Sequence, residues 1–355
     1  MIRRLFKGEI SLSDINPAWA LLALFLLAYP SFASNFFTFQ IGAYSLLLGT
    51  VALSLMMLAG YGGMVSLAQL TVAGFAGYLV AIFGDNSVGV MGLGWPWWIT
   101  VIVAILAAAS FSALIGAISV RTEGIYTIMI TLAIAVAFFY FVRQNYVIFN
   151  GFTGFAGVLP PTVFGVDWRD PVPFYYLSLF IAAFFFCAVL YGARSSFGLS
   201  LQAIRDNPRR MRALGYNVTL HRIAAYFLSG LIAGTAGVML AWFNSRVSPG
   251  SVGVDVVIDI LVIAVVGGLR HPLGPFIGAI GFVLLENFAI DLIDRERFNT
   301  VIGLAFLLAV LFSPDGILGL WDRLRTKLRS SRNARPRSGR AQWEDGSPAP
   351  ASEES

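Results

Sequence analysis

The sequence predicts an all-α polytopic membrane protein with about ten transmembrane helices. Its composition is the first reason: 57% of the 355 residues are hydrophobic and 12% are charged, whereas about 25% of the residues of a soluble domain are charged. The second reason is that the chain contains ten apolar stretches bounded by charged residues, glycine and proline. A helix that crosses about 30 Å of hydrocarbon needs about 20 residues. An ordinary soluble enzyme is therefore excluded.

The ten apolar stretches are the predicted transmembrane segments, and their ends carry an error of a few residues. They cover residues 18–33, 41–61, 65–83, 97–120, 124–142, 174–192, 223–243, 254–269, 273–293 and 299–313. The first is short and contains Pro30, and the third is rich in glycine, so either of them can be partial or re-entrant. Residues 1–17 are predicted to be a cytoplasmic segment, 18–320 the transmembrane domain, and 321–355 a disordered cytoplasmic tail.

The basic residues predict the orientation, because cytoplasmic loops carry an excess of Lys and Arg. With both termini in the cytoplasm, 19 of the 24 basic residues lie on the cytoplasmic side. Six of them are in the loop 193–222, and removing any one segment would put this loop and one terminus on opposite sides. An alternative for the amino terminus is a cleaved secretory signal, since Arg3, Arg4 and Lys7 precede an apolar stretch.

Cysteine, histidine and lysine are too scarce for several kinds of chemistry. Cys187 is the single cysteine, and His221 and His271 are the two histidines, so the sequence predicts no metal site. Neither of the two lysines, Lys7 and Lys327, follows a glycine, so the chain lacks the Gly-Lys-Ser/Thr end of a phosphate-binding loop. We expect no cofactor in this chain. The sequence also offers no clustered nucleophile, base or metal ligands, which argues against a membrane enzyme.

Polar side chains at membrane depth predict where a polar ligand would pass. Ser66 and Gln69 lie among glycines in the third segment, and interrupted helices in transporters place polar groups at a substrate site. Thr127 and Thr131 are four residues apart and share one face of the fifth segment. We expect these four side chains to line a path. The alternatives are plain helix packing through the glycines, and threonine hydroxyls that bond the carbonyl one turn back.

Two acidic residues lie within predicted segments, Asp259 near the start of the eighth and Glu286 deep in the ninth. A charge at the bilayer centre costs at least about 2.5 kcal/mol, so an intramembrane carboxylate is a functional candidate by default. A proton relay through these acids would make the protein an ion-coupled secondary transporter, which is an alternative function.

The loop 193–222 contains a predicted short helix. Asn207 followed by Pro208 is typical of a helix N-cap with proline at the first helical position, and Gly215 is a suitable end. We therefore predict a helix over residues 208–214, which gives the loop a structured basic surface. The alternative is a loop that only sets the topology.

Several motifs, in this order along residues 41–320, resemble the permease subunit of ABC importers for branched-chain amino acids. They are GYGGMVSLAQ at 60–69, RTEGIYTIMITLA at 121–133, SFGLSLQAIRD at 196–206, ALGYNV at 213–218, LIAGTAG at 231–237, SP at 248–249, VVGGL at 265–269, GP at 274–275 and FSPDGILG at 312–319. Two stretches depart from the family's usual pattern, NGFTGFAG at 150–157 and AQLT at 68–71.

The resemblance implies an ABC importer permease fold in the lipid bilayer of a bacterial plasma membrane, with no nucleic acid partner. Its implied protein partners are a second related permease, two ABC ATPase subunits that bind the ATP, and an extracytoplasmic substrate-binding protein. It also implies that the loop 193–222 carries the helix that seats in an ATPase. The residues that match this pattern are Ala203, Arg205, Asp206, Ala213, Leu214 and Gly215. Urea or short amides carried on the same scaffold are the alternative cargo.

Overall fold

The computed structural model describes residues 17–88, 92–122, 124–162, 165, 167–292 and 303–304, and α-helices make up most of them. The α-helices are α1 (Pro17–Phe32), α2 (Tyr44–Met56), α3 (Gln69–Phe83), α4 (Trp97–Ser119), α5 (Ile125–Gln144), α6 (Pro171–Arg194), α7 (Ser196–Asp206), α8 (Pro208–Ala213), α9 (Val218–Asn244), α10 (Val254–Gly267) and α11 (Gly274–Leu292). Two π-helical turns, Phe37–Ala43 and Met57–Tyr61, extend α2 at both ends, and Pro249–Val252 forms a 3-10 turn.

The helices agree with nine of the ten predicted segments. Five of them are long and apolar enough to cross a membrane: Phe37–Tyr61, α4, α5, α6 and α9. The tenth segment, 299–313, lies outside the described residues except for Gly303 and Leu304, which are helical. Residues 1–16 and the predicted tail also lie outside them. The count of ten helices and the orientation of the termini therefore stay predictions.

Three predicted boundaries are wrong: the start of the third segment and both ends of the loop 193–222. The third segment does not start at residue 65, because residues 62–68 are not helical and α3 begins only at Gln69. The loop 193–222 is shorter than predicted, because α6 continues to Arg194 and α9 begins at Val218. Asn217 caps α9 by accepting a hydrogen bond from the Leu220 N–H at 3.0 Å. The fold is also not purely helical, since β1 (Phe155–Ala156) pairs antiparallel with β2 (Arg246–Val247).

Burial separates central helices from peripheral ones. In the most apolar part of Phe37–Tyr61, 83% of the residues are buried, and in α9 61% are, against 33% in α4 and 28% in both α5 and α6. The Phe37–Tyr61 helix and α9 therefore form the centre, and α3 and α4 both pack against α9 and against each other. The peripheral helices expose large apolar side chains such as Ile118, Met129 and Phe180, as expected for surfaces that face lipid.

The contact between α3 and α9 depends on glycine. A Cβ atom at Gly237 of α9 would overlap the Ala73 carbonyl of α3, so only glycine allows this distance between the two backbones. Small residues serve the same purpose in membrane helix pairs generally. The two helices therefore touch through their backbones at the centre of the protein.

Candidate functional site

A cluster of buried polar side chains lies where α2, α3 and α9 meet. The Gln69 Oε1 atom is 2.8 Å from the Ser229 Oγ and 3.2 Å from the Ser54 Oγ, and both hydroxyls can donate to it. The Gln69 Nε2 lies 3.5 Å from the Ser66 Oγ. All four side chains are at most 1% exposed. We call Ser54, Ser66, Gln69 and Ser229 the polar cluster.

The nonhelical residues 62–68, which we call the 62–68 segment, are bound to α5 through Thr131. The Thr131 Oγ1 accepts a hydrogen bond from the Leu67 N–H at 3.1 Å and lies 3.0 Å from the Thr127 carbonyl one turn back. The Thr127 Oγ1 lies 3.0 Å from the Thr122 carbonyl, close to the start of α5. The structure thus brings Ser66, Gln69 and Thr131 to the same region and places Thr127 one turn nearer the start of α5. That these four residues line a path stays a prediction.

Sequence reasoning missed three members of this region, Ser54, Ser229 and Tyr226. Tyr226 is fully buried, its hydroxyl lies near those of Ser66 and Ser119, and its carbonyl accepts a hydrogen bond from the Ser112 Oγ at 2.7 Å. The sequence signal that could have identified these three residues is a hydroxyl group in the middle of an apolar stretch. Such residues commonly hydrogen-bond between helices in membranes.

A cavity of about 390 Å³ opens beside the end of α9, and we call it the Arg246 cavity. Its apolar lining includes Leu48, Leu70, Val247 and Val256. Its polar lining comes from Tyr44, Asn244, Arg246, Ser248 and Ser251, together with the backbones of Gly74, Gly77 and Gly237. Leu70 of this lining follows Gln69 of the polar cluster directly in α3. A volume of this size is typical of a small-molecule site.

A two-stranded sheet connects the segment 150–157 to this cavity. The sheet pairs Phe155 with Val247 and Ala156 with Arg246, and both β2 residues line the cavity. An Arg246 guanidinium nitrogen donates to the Thr153 carbonyl at 3.2 Å. One of the two stretches that depart from the family's pattern therefore lies next to the candidate site.

The opposite end of α9 joins residues 195–217, which connect α6 to α9 and which we call the basic loop. The predicted helix there is confirmed and ends one residue early, as α8 at Ala213. Asn207 caps it by accepting from the Arg210 N–H at 2.9 Å, and Gly215 ends it with a φ of +87°. Since Gly237, the first residue of α9 that lines the Arg246 cavity, is 19 residues beyond Val218, about 28 Å separates this end from the cavity.

The six residues expected to couple the loop to an ATPase lie in α7, in α8 and just after it. Ala203 packs against a small apolar core of Ile204, Met211 and Val218, which holds α7, α8 and α9 together. Arg205 and Asp206 form an ion pair at 2.9 Å. Ala213, Leu214 and Gly215 are exposed, and the Leu214 side chain is 65% exposed. Their role in coupling stays a prediction.

The two intramembrane acids are on neighbouring helices. Asp259 of α10 and Glu286 of α11 are both half-buried, and Tyr44 lies within electrostatic range of each. The Glu286 Oε2 is buried without a hydrogen-bond partner among the described residues. The part of the chain that the structure describes contains no group of three or more His, Cys, Asp or Glu that could hold a metal ion.

Comparison with known families identifies the class of protein. The profile of the family described as "Branched-chain amino acid transport system / permease component" matches residues 37–311. The chain belongs to this family. The resemblance seen in its motifs is thereby confirmed, and the chain is a multi-pass membrane protein of a transport permease family.

Individual relatives differ in the cargo that their names state. The chain is 32% identical over 168 residues to the "Probable branched-chain amino acid transport permease protein LivH" of Methanocaldococcus jannaschii, which covers 43% of this chain and 52% of that protein. It thus spans about half the length of this relative. It is 25% identical to the branched-chain permease LivM of Salmonella typhimurium over 79% of the chain and 67% of that protein. It is also 25% identical to the nucleoside ABC transporter permease NupC of Lactococcus lactis, over 64% of the chain and 74% of that protein. No solved structure matches the chain.

Proposed function

We propose that this chain is the permease subunit of an ATP-driven ABC importer that carries branched-chain amino acids delivered by an extracytoplasmic binding protein. The family match over residues 37–311 is the observation that carries the proposal. The Arg246 cavity supports this cargo, because apolar walls suit an aliphatic side chain, while the hydroxyl, amide and guanidinium groups of its lining suit a zwitterion.

The proposed mechanism is alternating access along α9. The Arg246 cavity receives the amino acid from outside. The path of the amino acid from there to the cytoplasm is closed by the contact between Ala73 and Gly237 and by the polar cluster. Separation of α3 from α9 would open that path and expose the polar cluster to the cargo. Cargo and nucleotide each shift the balance between the two states only through their different affinities for them.

The proposed partners follow from this mechanism. Two ABC ATPase subunits bind ATP, and one of them contacts α8 and its exposed end at Leu214. A second related permease completes the membrane domain. The binding protein docks on the opposite side, next to the Arg246 cavity. The proposed location is a bacterial plasma membrane with the basic loop in the cytoplasm.

A second candidate cargo is a nucleoside, and the similarity to NupC favours it. Urea or short amides on the same scaffold are a further alternative. Ion-coupled transport through Asp259 and Glu286 would need no ATPase, which makes it separable from both.

The test is to purify the protein from its native membranes, identify what accompanies it, and reconstitute the assembly in liposomes. We expect two ATPase subunits and a related permease, and uptake of leucine, isoleucine or valine that requires both ATP and the binding protein. Uptake of uridine but not leucine would assign the nucleoside alternative. Uptake that an ionophore abolishes at constant ATP would contradict the ABC mechanism.

A further inference from the structure

Arg205 of the basic loop contacts the central helix directly. Its Nη1 donates a hydrogen bond to the Gly60 carbonyl, in the π-helical turn that ends the Phe37–Tyr61 helix. The same guanidinium lies 2.9 Å from the Asp206 Oδ1. Because the group is planar with several donors, it can hold both oxygens at once.

The bond to Gly60 satisfies a carbonyl at the end of a helix. The last four carbonyls of a helix lack partners within it. Here the Gly63 N–H donates to Ala59 at 3.2 Å and the Met64 N–H donates to Leu58 at 3.0 Å. Arg205 therefore supplies the bond for the next carbonyl along the chain, which is that of Gly60.

The side chain of Arg205 also covers the start of the 62–68 segment. Gly63 has a φ of +67°, and a Cβ atom there would overlap the Arg205 Cγ. The methylene groups of Arg205 thus occupy the space that a side chain at position 63 would need. Arg205 touches the chain on both sides of the point where the helix ends, at Gly60 and at Gly63.

The 62–68 segment leads from this contact to the polar cluster. Ser66 lies within it, Gln69 follows it, and Leu67 is bound to Thr131 of α5. One end of the segment is held by the basic loop and the other by α5. A displacement of α7 would therefore act on the Ser66 backbone, which lies only three residues beyond Gly63.

We propose that Arg205 is a positioning residue that transmits movement of the basic loop to the 62–68 segment, and so couples the ATPases to the polar cluster. The proposal rests on the proposed function and deepens it. In this mechanism Arg205 acts within the chain, and the exposed α8 end at Leu214 forms the contact with the ATPase. The two roles are thus assigned to different parts of the same loop.

The test replaces Arg205 in the assembled transporter with its ATPases and binding protein, in liposomes. Arg205→Ala is expected to assemble, while the ratio of stimulated to basal ATPase rate with loaded binding protein and the uptake per ATP each fall about fivefold, since a charge-assisted hydrogen bond at a partly exposed site is lost. Arg205→Lys is expected to restore part of both values, because one ammonium reaches Gly60 without holding Asp206 as well. A merely structural role would lower assembly and basal rate together.

Gly63 provides a second, independent variant with a matched control. Gly63→Ala is expected to displace Arg205 and to reproduce the loss of stimulation. Gly124→Ala also places a side chain at a positive φ, +62°, in a backbone conformation that glycine alone adopts readily, with nothing within 4 Å of the new Cβ, and is expected to keep the stimulation.

Full stimulation in Arg205→Ala would overturn the proposal, and so would equal losses in Gly63→Ala and Gly124→Ala. If Arg205→Ala fails to assemble, full coupling in an assembled Arg205→Lys together with Gly63→Ala would overturn it as well. Failure of the proposed function is distinguishable, because the unaltered assembly would then show no ATP-driven uptake at all.

Discussion

The two ends of α9 are built differently. At the Arg246 cavity, α9 meets α3 through glycine backbones and apolar side chains, next to an open volume of about 390 Å³. At the basic loop, side-chain oxygens cap three helices and Arg205 binds the Gly60 carbonyl. Apolar surfaces can separate without leaving a polar group unsatisfied, whereas polar contacts, including the Gln69–Ser229 bond further along the α3–α9 contact, must be broken and replaced. The difference suits a cavity that opens and closes and a loop that transmits force.

The strongest test of this comparison is a larger side chain at the α3–α9 contact. Gly237→Val would force the Ala73 backbone away, and overpacking of this kind costs about 3 kcal/mol at the upper end of its usual range. We expect a lower melting temperature in detergent and loss of uptake. Gly281→Ala is the control, since nothing lies within 4 Å of a Cβ there. Equal melting temperatures for the two variants would show that the contact between Ala73 and Gly237 does not determine how closely α3 and α9 pack beside the Arg246 cavity.

At the other end, the expected effect of a charge on the α8 surface is somewhat smaller. Leu214 is 65% exposed, so Leu214→Glu should fold normally. Burying that charge against an ATPase subunit should cost about 2 kcal/mol, or about 30-fold in affinity for the ATPase. Leu199→Glu is the control, at an exposed leucine of α7 that is not among the six residues expected to couple the loop to an ATPase. ATP-driven uptake at the unaltered level in Leu214→Glu would show that the coupling assignment is wrong.

The capping bonds of the basic loop give the next effect in size. Asn207→Ala removes the acceptor of the Arg210 N–H and should lower the stability of α8 by about 1 kcal/mol. Hydrogen exchange should become faster in residues 208–213 and stay unchanged in α3. Asn207→Asp is the control, because aspartate also caps helices well. Unchanged exchange in Asn207→Ala would mean that packing alone holds the loop.

The smallest effect is expected inside the polar cluster. Ser229→Ala removes one donor to Gln69 and leaves Ser54 in place, and an interhelical hydrogen bond in a membrane protein averages about 0.6 kcal/mol. We expect a small loss of stability and, because the cluster is proposed to meet the cargo, a change in the half-saturating concentration for uptake. Thr235→Ala, whose hydroxyl bonds a carbonyl of its own helix, is the control. An identical change in stability and in half-saturating concentration for both variants would show that the polar cluster does not line the proposed path.

The features that the sequence predicted correctly depend on neighbouring residues. The apolar stretches, the cap at Asn207 and the glycine end at Gly215 each involve residues only a few positions apart. Ser66 and Gln69 were singled out because they interrupt an apolar stretch, and both are in the polar cluster. Their partner Ser229 lies 160 positions from Gln69, and no local pattern indicates such a pairing.

The sequence by itself determined the class of protein, its main helices and its family, because hydrophobic length, capping residues and motif order are all properties of the chain. Only the tertiary structure decided which helices are central. The most apolar parts of the Phe37–Tyr61 helix and of α5 have similar mean hydropathies, 1.9 and 2.3, yet 83% of the residues are buried in the first and 28% in the second. Lipid tails and a protein interior are both apolar, so hydropathy cannot distinguish them. The polar cluster and the contact of Arg205 with Gly60 arise from that packing.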